Sequence, residues 1–166
     1  MKNIAFGLAV LLASVSASGQ QPLPGGPVAQ MQQKTSARQP LNVGIKVPTT
    51  LAANGIVAGT TNLPDGTVLS LSLAGPDGSA FNRDNCCFNA VVAVSHGAFG
   101  PVKIIKDGVT PDPGNYRVIV VMRDWTMQPP SVVAAIGNQG ENLRGRFVIG
   151  ESDDRGVEAT LPVEVQ

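Results

Sequence analysis

The stretch that most constrains the fold covers residues 110–122. A turn sequence, Pro111-Asp112-Pro113-Gly114, leads into a run dense in β-branched residues. Apolar residues on both faces of such a run are typical of a strand that lies inside a sheet. The stretch therefore predicts a central β-strand. Its two faces alternate, with Tyr116, Val118, Val120 and Met122 on one and Arg117, Ile119, Val121 and Arg123 on the other.

Composition agrees with a β protein of one domain. The 166 residues include 19 glycines and 13 prolines, and only 14% are charged. Acidic and basic residues balance at 12 each, so nothing indicates nucleic acid or an acidic membrane as a partner. All 12 acidic residues lie from Asp65 onward, against eight basic ones, which gives that part a net charge of −4. We interpret this excess as serving solubility.

The first 17 residues have the pattern of a secretory signal peptide. Lys2 supplies a positive charge, an apolar run covers residues 4–15, and Val15-Ser16-Ala17 offers small residues for cleavage after Ala17. The run is too short to span a bilayer comfortably, and no later stretch is long enough for a transmembrane helix. No cysteine near the cleavage position indicates a lipid anchor. The sequence predicts export to a bacterial periplasm or to the extracellular medium.

Residues 18–40 are predicted to form a flexible linker. They are rich in Gln, Pro, Gly and Ala and contain no aromatic residue, so they bury too little apolar area to fold. An alternative role is a tether that reaches a cell-wall or surface partner. The ordered domain is predicted to cover residues 41–166.

Alternation and turn chemistry predict about seven to eight strands with one short helix. Residues 41–47, 69–73 and 157–165 alternate most clearly, and Pro162 on the outer phase of the last run favours an edge strand. Phe147 and Ile149 are predicted to point inward from a strand over residues 144–150. Pro130 suits a first helical position and Gly137 a C-terminal cap, which predicts a helix over Pro130–Ile136. The spacing predicts an all-β fold, an immunoglobulin-like antiparallel β-sandwich.

Three groups of residues carry a resemblance. They are residues 59–67 (Gly-Thr-Thr-Asn-Leu-Pro-Asp-Gly-Thr), Pro113-Gly114-Asn115-Tyr116, and Ile136-Gly137 with residues 140–145 (Gly-Glu-Asn-Leu-Arg-Gly). With them the chain resembles exported bacterial single-domain proteins of immunoglobulin-like or transthyretin-like sandwich type, over most of its length from Gly55. Tyr116 is then either the tyrosine corner of such a sandwich or simply a strand aromatic. The resemblance implies architecture, and no catalytic residue carries over with it.

Cys86 and Cys87 form the one unusual pair. Two cysteines in an exported protein usually form a disulfide. Adjacent Cα atoms, however, lie only about 3.8 Å apart, below the usual disulfide span of about 4.4–6.8 Å. A strained vicinal disulfide is our leading interpretation, and bonds to another chain or free thiols are the alternatives. A redox or metal role is a further hypothesis, although with His96 the only histidine a zinc site remains one ligand short.

No motif predicts catalysis or a resident metal or cofactor. His96 precedes Gly97 at a predicted turn, and its neighbour Ser95 belongs to no Gly-x-Ser-x-Gly elbow. Glu151, Asp153 and Asp154 offer oxygen ligands for calcium, but their spacing is not that of an EF-hand, and a solvated hairpin loop is the simpler interpretation. We expect no catalytic residue, no metal site and no cofactor, and the sequence predicts that the protein is not an enzyme.

Trp125 and Met127 are the candidate contacts for a partner. They lie in a connection that also contains two consecutive prolines. Exposed, they would anchor a partner protein. Buried, they would plug one end of the sandwich, which is the interpretation that we favour from sequence.

The resulting functional hypothesis is an exported, non-enzymatic binding or structural module that acts in the bacterial envelope or outside the cell. One alternative is an envelope subunit that assembles by adding residues 41–47 to a neighbour's sheet, although pairing within the chain is preferred. Another is a thiol-dependent activity at Cys86 and Cys87. The partner itself, whether a protein or another envelope component, is not predicted.

Overall fold

Strands dominate the regular structure. The computed structural model describes residues 39–76, 90–105, 109–151 and 154–166, which belong to one compact unit, Ser36–Gln166. A 3₁₀ turn, η1, and one helix, α1, accompany the strands, so the predicted all-β class with a short helix is confirmed. The elements are β1 (Leu41–Asn42), β2 (Ile45–Lys46), β3 (Thr50–Leu51), β4 (Ile56–Thr61), β5 (Val68–Ala74), β6 (Ala90–Ala93), β7 (Ala98–Lys103), β8 (Gly114–Met122), η1 (Trp125–Met127), α1 (Pro130–Ile136), β9 (Leu143–Arg144), β10 (Val148–Ile149) and β11 (Gly156–Val165).

The largest sheet has the order β10-β11-β8-β5-β6, with β3 added on β11. Its central strand is β8, antiparallel to β5 on one side and to β11 on the other, as the alternation of its residues predicted. Tyr116 is buried at the start of β8 at 6% exposure. Its interpretation as a tyrosine corner stays a prediction.

A smaller sheet, β2-β4-β7, supplies the other side of the core. Ile45, Val57 and Phe99 point from this sheet into one continuous apolar cluster with the inward residues of the larger sheet. That arrangement is a β-sandwich, in which the inner faces of two sheets share a core. The fully buried members contributed by the larger sheet include Leu69, Leu71, Val118, Val120 and Val157.

The predicted turns form by local chemistry. At the Pro64-Asp65-Gly66 turn, the Thr67 backbone N–H donates to the Pro64 carbonyl at 3.1 Å, and Gly66 takes a φ of 86° that L side chains disfavour. His96 and Gly97 form a two-residue hairpin loop, both with positive φ, between Ser95 and Ala98, which pair with each other. Two positive φ angles in a two-residue loop are the geometry that matches strand twist.

The short helix α1 has the boundaries that the sequence predicted. Pro130 occupies its first turn, where the missing N–H costs no hydrogen bond. Val132 and Ile136 are buried against the core. Gly137 ends the helix at a φ of 94°, and its N–H donates to the Val133 carbonyl at 2.9 Å. No helix within the described residues is long and apolar enough to cross a bilayer.

The predicted strand over residues 41–47 is two strands with different partners. β1 pairs with β9 in parallel, whereas β2 pairs with β4 antiparallel. Asn62 holds the junction, because its Oδ1 accepts from Gly44 N at 2.7 Å and its Nδ2 donates to the Asn42 carbonyl at 2.6 Å. The alternation was predicted correctly, since Val43 and Ile45 are buried. The change of partner was not predicted, because it depends on a side chain about 20 residues away.

The predicted inward position of Ile149 is wrong. Residues 144–150 form the ends of two short strands, β9 and β10, separated by Gly145 at a φ of 107°. Phe147 is buried as predicted, at 9% exposure, but Ile149 is 47% exposed. Ile149 pairs with Gly156 at the edge of the sheet, and a glycine offers no side chain to cover it.

Pro162 lies beside an open stretch of sheet edge, as predicted. β8 covers one side of β11 over residues 158–165. On the other side, the Glu158 N–H donates to the Phe147 carbonyl and the Glu164 N–H donates to the Thr49 carbonyl, so neighbours occupy both ends but not the middle. Pro162 belongs to the same phase, and its missing N–H therefore removes no ladder hydrogen bond.

Candidate functional site

Cys86 and Cys87 lie outside the described residues, as does Asp153. The vicinal disulfide, the bridge to another chain and the free thiols therefore stay predictions, as does a redox or metal role for the pair. Within the described residues, no group of three or more His, Cys, Asp or Glu side chains gathers as a metal site would require.

Ser95 and His96 form a contact at the exposed tip of the β6–β7 hairpin. Ser95 Oγ and His96 Nδ1 are 2.9 Å apart, and both residues are exposed. Among the described residues no carboxylate is hydrogen-bonded to this imidazole, so the third member of a catalytic triad is not in place. His96 adopts a φ of 52° because the two-residue loop requires it.

The turn that carries Trp125 and Met127 begins with a side-chain cap. The Asp124 Oδ1 accepts from the Thr126 backbone N–H at 2.8 Å and from the Thr126 hydroxyl at 2.7 Å. These bonds satisfy a donor that the start of a 3₁₀ turn leaves open. The hydroxyl bond first, and then the backbone bond, hold the pKa of Asp124 below its ordinary value of 3.8.

Gln128 fixes the other end of the same turn. Its side chain is 7% exposed and lies against the edge of β5. Oε1 accepts from Val68 N at 2.8 Å, while Nε2 donates to the Val68 carbonyl at 3.1 Å and to the Arg123 carbonyl at 2.8 Å. One amide thus satisfies three backbone groups on two segments 60 residues apart in sequence. The turn is attached to the sheet independently of the side chains that it displays.

The favoured interpretation of Trp125 and Met127 as a buried plug is wrong. Met127 is 59% exposed, and Trp125 is only partly buried. Neither side chain belongs to the core cluster. The end of the sandwich is occupied by the amide of Gln128, which needs no bulky neighbour because it bonds to the backbone. Arg123 Nη2 approaches the Met127 Sδ at 3.5 Å.

A groove runs along Trp125 between η1 and α1. Its volume is about 460 Å³, within the range of about 300–1,000 Å³ seen for small-molecule sites. Besides Trp125, its apolar walls come from Pro130, Val133 and Ala134, and its polar groups come from Thr126, Gln128 and Asn138. The sequence pointed to Trp125, but not to Asn138, which follows the helix by two positions and has no motif around it.

A second depression of about 450 Å³ lies where β8 begins and β11 ends. Its lining includes Arg117 and Glu164, which are on adjacent strands and carry opposite charges. No exposed aromatic side chain lines it, since Tyr116 points to the core at 6% exposure. The Trp125 groove is therefore the better candidate site for a ligand.

Comparisons with known proteins give one structural likeness. No family model matches the chain, and no curated protein matches it. Among solved structures, the chain is similar to part of the Arg-specific cysteine proteinase gingipain R, with 16% sequence identity and a TM-score of 0.37. The likeness covers 76% of this chain and 19% of that one, so the chain spans about a fifth of the length of the structure it matches.

The prediction that the protein is not an enzyme is corrected by this comparison. It rested on missing sequence motifs, whereas the structure that the chain resembles is that of a cysteine proteinase. The absence of a familiar motif is therefore not a basis for excluding catalysis. The likeness transfers no catalytic residue to this chain, because its identity and TM-score are too low to carry an argument about activity.

Proposed function

We propose that the chain is an exported module that binds a component of the bacterial envelope or of the extracellular surroundings. It does so through the surface around Trp125 and Met127. The observation that carries the proposal is the placement of these apolar side chains outside the core, on a turn anchored at both ends by hydrogen bonds. Such a surface has no evident role in holding the sandwich together.

Rigid attachment supports a binding role. Asp124 caps the start of the turn and Gln128 ties its end to β5. A side chain held in place before binding loses less conformational entropy on binding than a mobile one. Aromatic side chains fixed in this way are also enriched among the residues that dominate binding energy.

Export is the second part of the proposal and comes from the N-terminal 17 residues. The proposed order along the chain is a signal peptide at residues 1–17, a linker at 18–40 and the sandwich at 41–166. Membership of the exported immunoglobulin-like or transthyretin-like sandwich proteins belongs to the same proposal. Residues 41–46 pair with β9 and β4 of their own chain, so we do not propose assembly by strand exchange.

Sedimentation with isolated envelopes tests the binding role. The purified mature protein is mixed with washed envelope fragments of the producing cell, and the pelleted fraction is measured against protein concentration. We expect saturable binding that Trp125→Ala reduces about tenfold or more and that Met127→Ala also weakens. Ile149→Ala is the matched control, because it removes an apolar side chain of similar exposure elsewhere. Equal binding by all four proteins, or none by the parent, would refute the role of this surface.

Fractionation of the producing cells tests export. The mature chain is expected in the periplasm or medium, with an intact mass that corresponds to loss of residues 1–17. Recording the mass before and after reduction, with thiol labelling, also tests the predictions for Cys86 and Cys87. Recovery of the full-length chain in the cytoplasm would contradict the export proposal.

A further inference from the structure

We propose that the groove beside Trp125 binds a neutral saccharide. The inference rests on the proposed binding function and names the chemical class of the ligand. It depends on three properties of the groove: an aromatic wall, unused hydrogen-bonding groups beside it, and the absence of charge in its lining.

The lining contains no ionisable side chain. Its members are tryptophan, proline, valine, alanine, threonine, glutamine and asparagine. A ligand that carries a phosphate or carboxylate would lose its hydration there without gaining a cationic partner, which is costly. Charge complementarity therefore selects an uncharged ligand.

The apolar part of the groove matches the C–H faces of a sugar ring. Trp125, Pro130 and Val133 line it, and Trp125 is only partly buried. Sugar rings present a flat array of C–H bonds, and an indole presents a large surface whose π face is electron-rich. Because η1 is capped by Asp124 and tied by Gln128, this wall is fixed before the ligand arrives.

Unused polar groups beside that wall match the hydroxyls of the same ligand. No hydrogen bond engages the side-chain amide of Asn138 within the described part of the chain, and the residue is exposed. The Thr126 hydroxyl donates to Asp124 and keeps its lone pairs for a further donor. The amide of Gln128, by contrast, is already committed to Val68 and Arg123. A purely apolar peptide side chain would leave the Asn138 amide unpaired, so the mixed chemistry favours a polyol.

The test uses Trp125 as its own reporter, since the chain contains only one tryptophan. The mature protein is titrated with cellotetraose, maltotetraose and chitotetraose while Trp emission and its quenching by acrylamide are recorded. We expect at least one of these neutral oligosaccharides to shift the emission and to reduce quenching about twofold or more, with saturation. Tetragalacturonate and a neutral apolar tripeptide amide serve as charged and apolar comparison ligands. If none of the three oligosaccharides alters emission or quenching, or if either comparison ligand alters them more strongly, the inference is wrong.

Two variants separate ligand contact from structural damage. Asn138→Ala keeps the reporter and is expected to weaken saccharide binding about tenfold, the loss that corresponds to one good hydrogen bond. Trp125→Phe, followed by calorimetry, is expected to retain part of the affinity that Trp125→Ala loses. Ile149→Ala should bind like the parent. Unchanged binding by Asn138→Ala and Trp125→Ala would place any saccharide elsewhere and overturn the assignment.

Failure of this inference is distinguishable from failure of the proposed function. If the protein sediments with envelopes in a Trp125-dependent manner but no oligosaccharide competes, the saccharide assignment falls and the binding module stands. If the parent does not sediment at all, the proposed function itself fails. Competition by the same oligosaccharide that protects Trp125 from acrylamide supports both.

Discussion

At the scale of single residues, two polar side chains determine how the candidate site is presented. Gln128 is buried in an environment where an apolar residue would be expected, and it repays that burial with three hydrogen bonds to backbone groups. Asp124 is exposed and acts locally, through Thr126. The first interaction depends on tertiary structure and has no signal in sequence. The second, an Asp followed by Thr two positions later, is a recognisable cap.

Replacing Gln128 by alanine is expected to destabilise the fold by about 2–4 kcal/mol, because it leaves two backbone carbonyls and one N–H buried without partners. The loss is measured by urea unfolding monitored through circular dichroism. Gln139→Ala is the matched control, since that residue is exposed and its side chain makes no hydrogen bond within the described residues. A change below about 0.5 kcal/mol for Gln128→Ala, the usual size for a surface site, would contradict the anchor.

Acid is expected to loosen the Trp125 turn through Asp124. Its pKa is lowered from 3.8, so the carboxylate form is the one that the fold stabilises. That stabilisation is complete above about pH 3.8 and is lost as pH falls through the lower, folded-state value. Trp emission followed from pH 6 to 2 should show a transition below pH 3.8 that is missing in Asp124→Asn. Thr126→Val should move the transition to higher pH; an unmoved transition would mean that another group is responsible.

At the scale of elements, what the sequence predicts well is local. The Pro64-Asp65-Gly66 turn, the His96-Gly97 loop and the helix Pro130–Ile136 all formed as expected, since their signals lie within a few residues. The strands at residues 41–47 and 144–150 were predicted whole and are each divided between two partners. Partner choice depends on distant groups such as the Asn62 side chain, and periodicity carries no information about them. Ile149 shows the same limit, because its exposure follows from pairing with Gly156.

The β6–β7 hairpin gives a test at this scale. His96 holds a φ of 52°, a conformation that costs β-branched residues about 1–2 kcal/mol. We expect His96→Val to destabilise the protein by about that amount and His96→Asn to be neutral or slightly stabilising, since asparagine favours this position of a two-residue loop. Urea midpoints measure both. If the two variants lose equal stability, the imidazole contact with Ser95, and not the backbone, is what matters there.

At the scale of the whole molecule, fold class and ligand site differ in how far sequence reveals them. The sandwich follows from repeated alternation, and most of the residues predicted to point inward do so. The site follows from where a partly exposed tryptophan, an asparagine after α1 and a buried glutamine meet, which requires the packed structure. The open edge of β11 belongs to this scale too. Pro162 interrupts it, and neighbours at residues 147 and 49 close its ends, so a long foreign strand has no room to pair there.

Two apolar positions predicted to be buried provide the global test. Leu71 has 0% exposure in the shared core, whereas Ile149 is 47% exposed. Leu71→Ala should cost about 2–5 kcal/mol, a large part of the stability of an ordinary domain. Ile149→Ala should cost about 0.5 kcal/mol or less. Urea unfolding of both variants decides the matter, and similar losses at the two sites would mean that the arrangement of β10 is incorrect.

The junction at Asn62 has a mechanical consequence. If residues 18–40 connect the domain to an anchored partner, tension enters the sandwich at Leu41. β1 runs parallel to β9 and is joined to that region by two bonds, from Leu41 N to the Asn142 carbonyl and from Val43 N to the Arg144 carbonyl, each 2.8 Å long. A pull along β1 loads both bonds in shear, so they must break together and not in succession. Asn62 shares the load through Asn42 and Gly44, and these few polar contacts set the force at which the domain begins to yield while its apolar core is still intact.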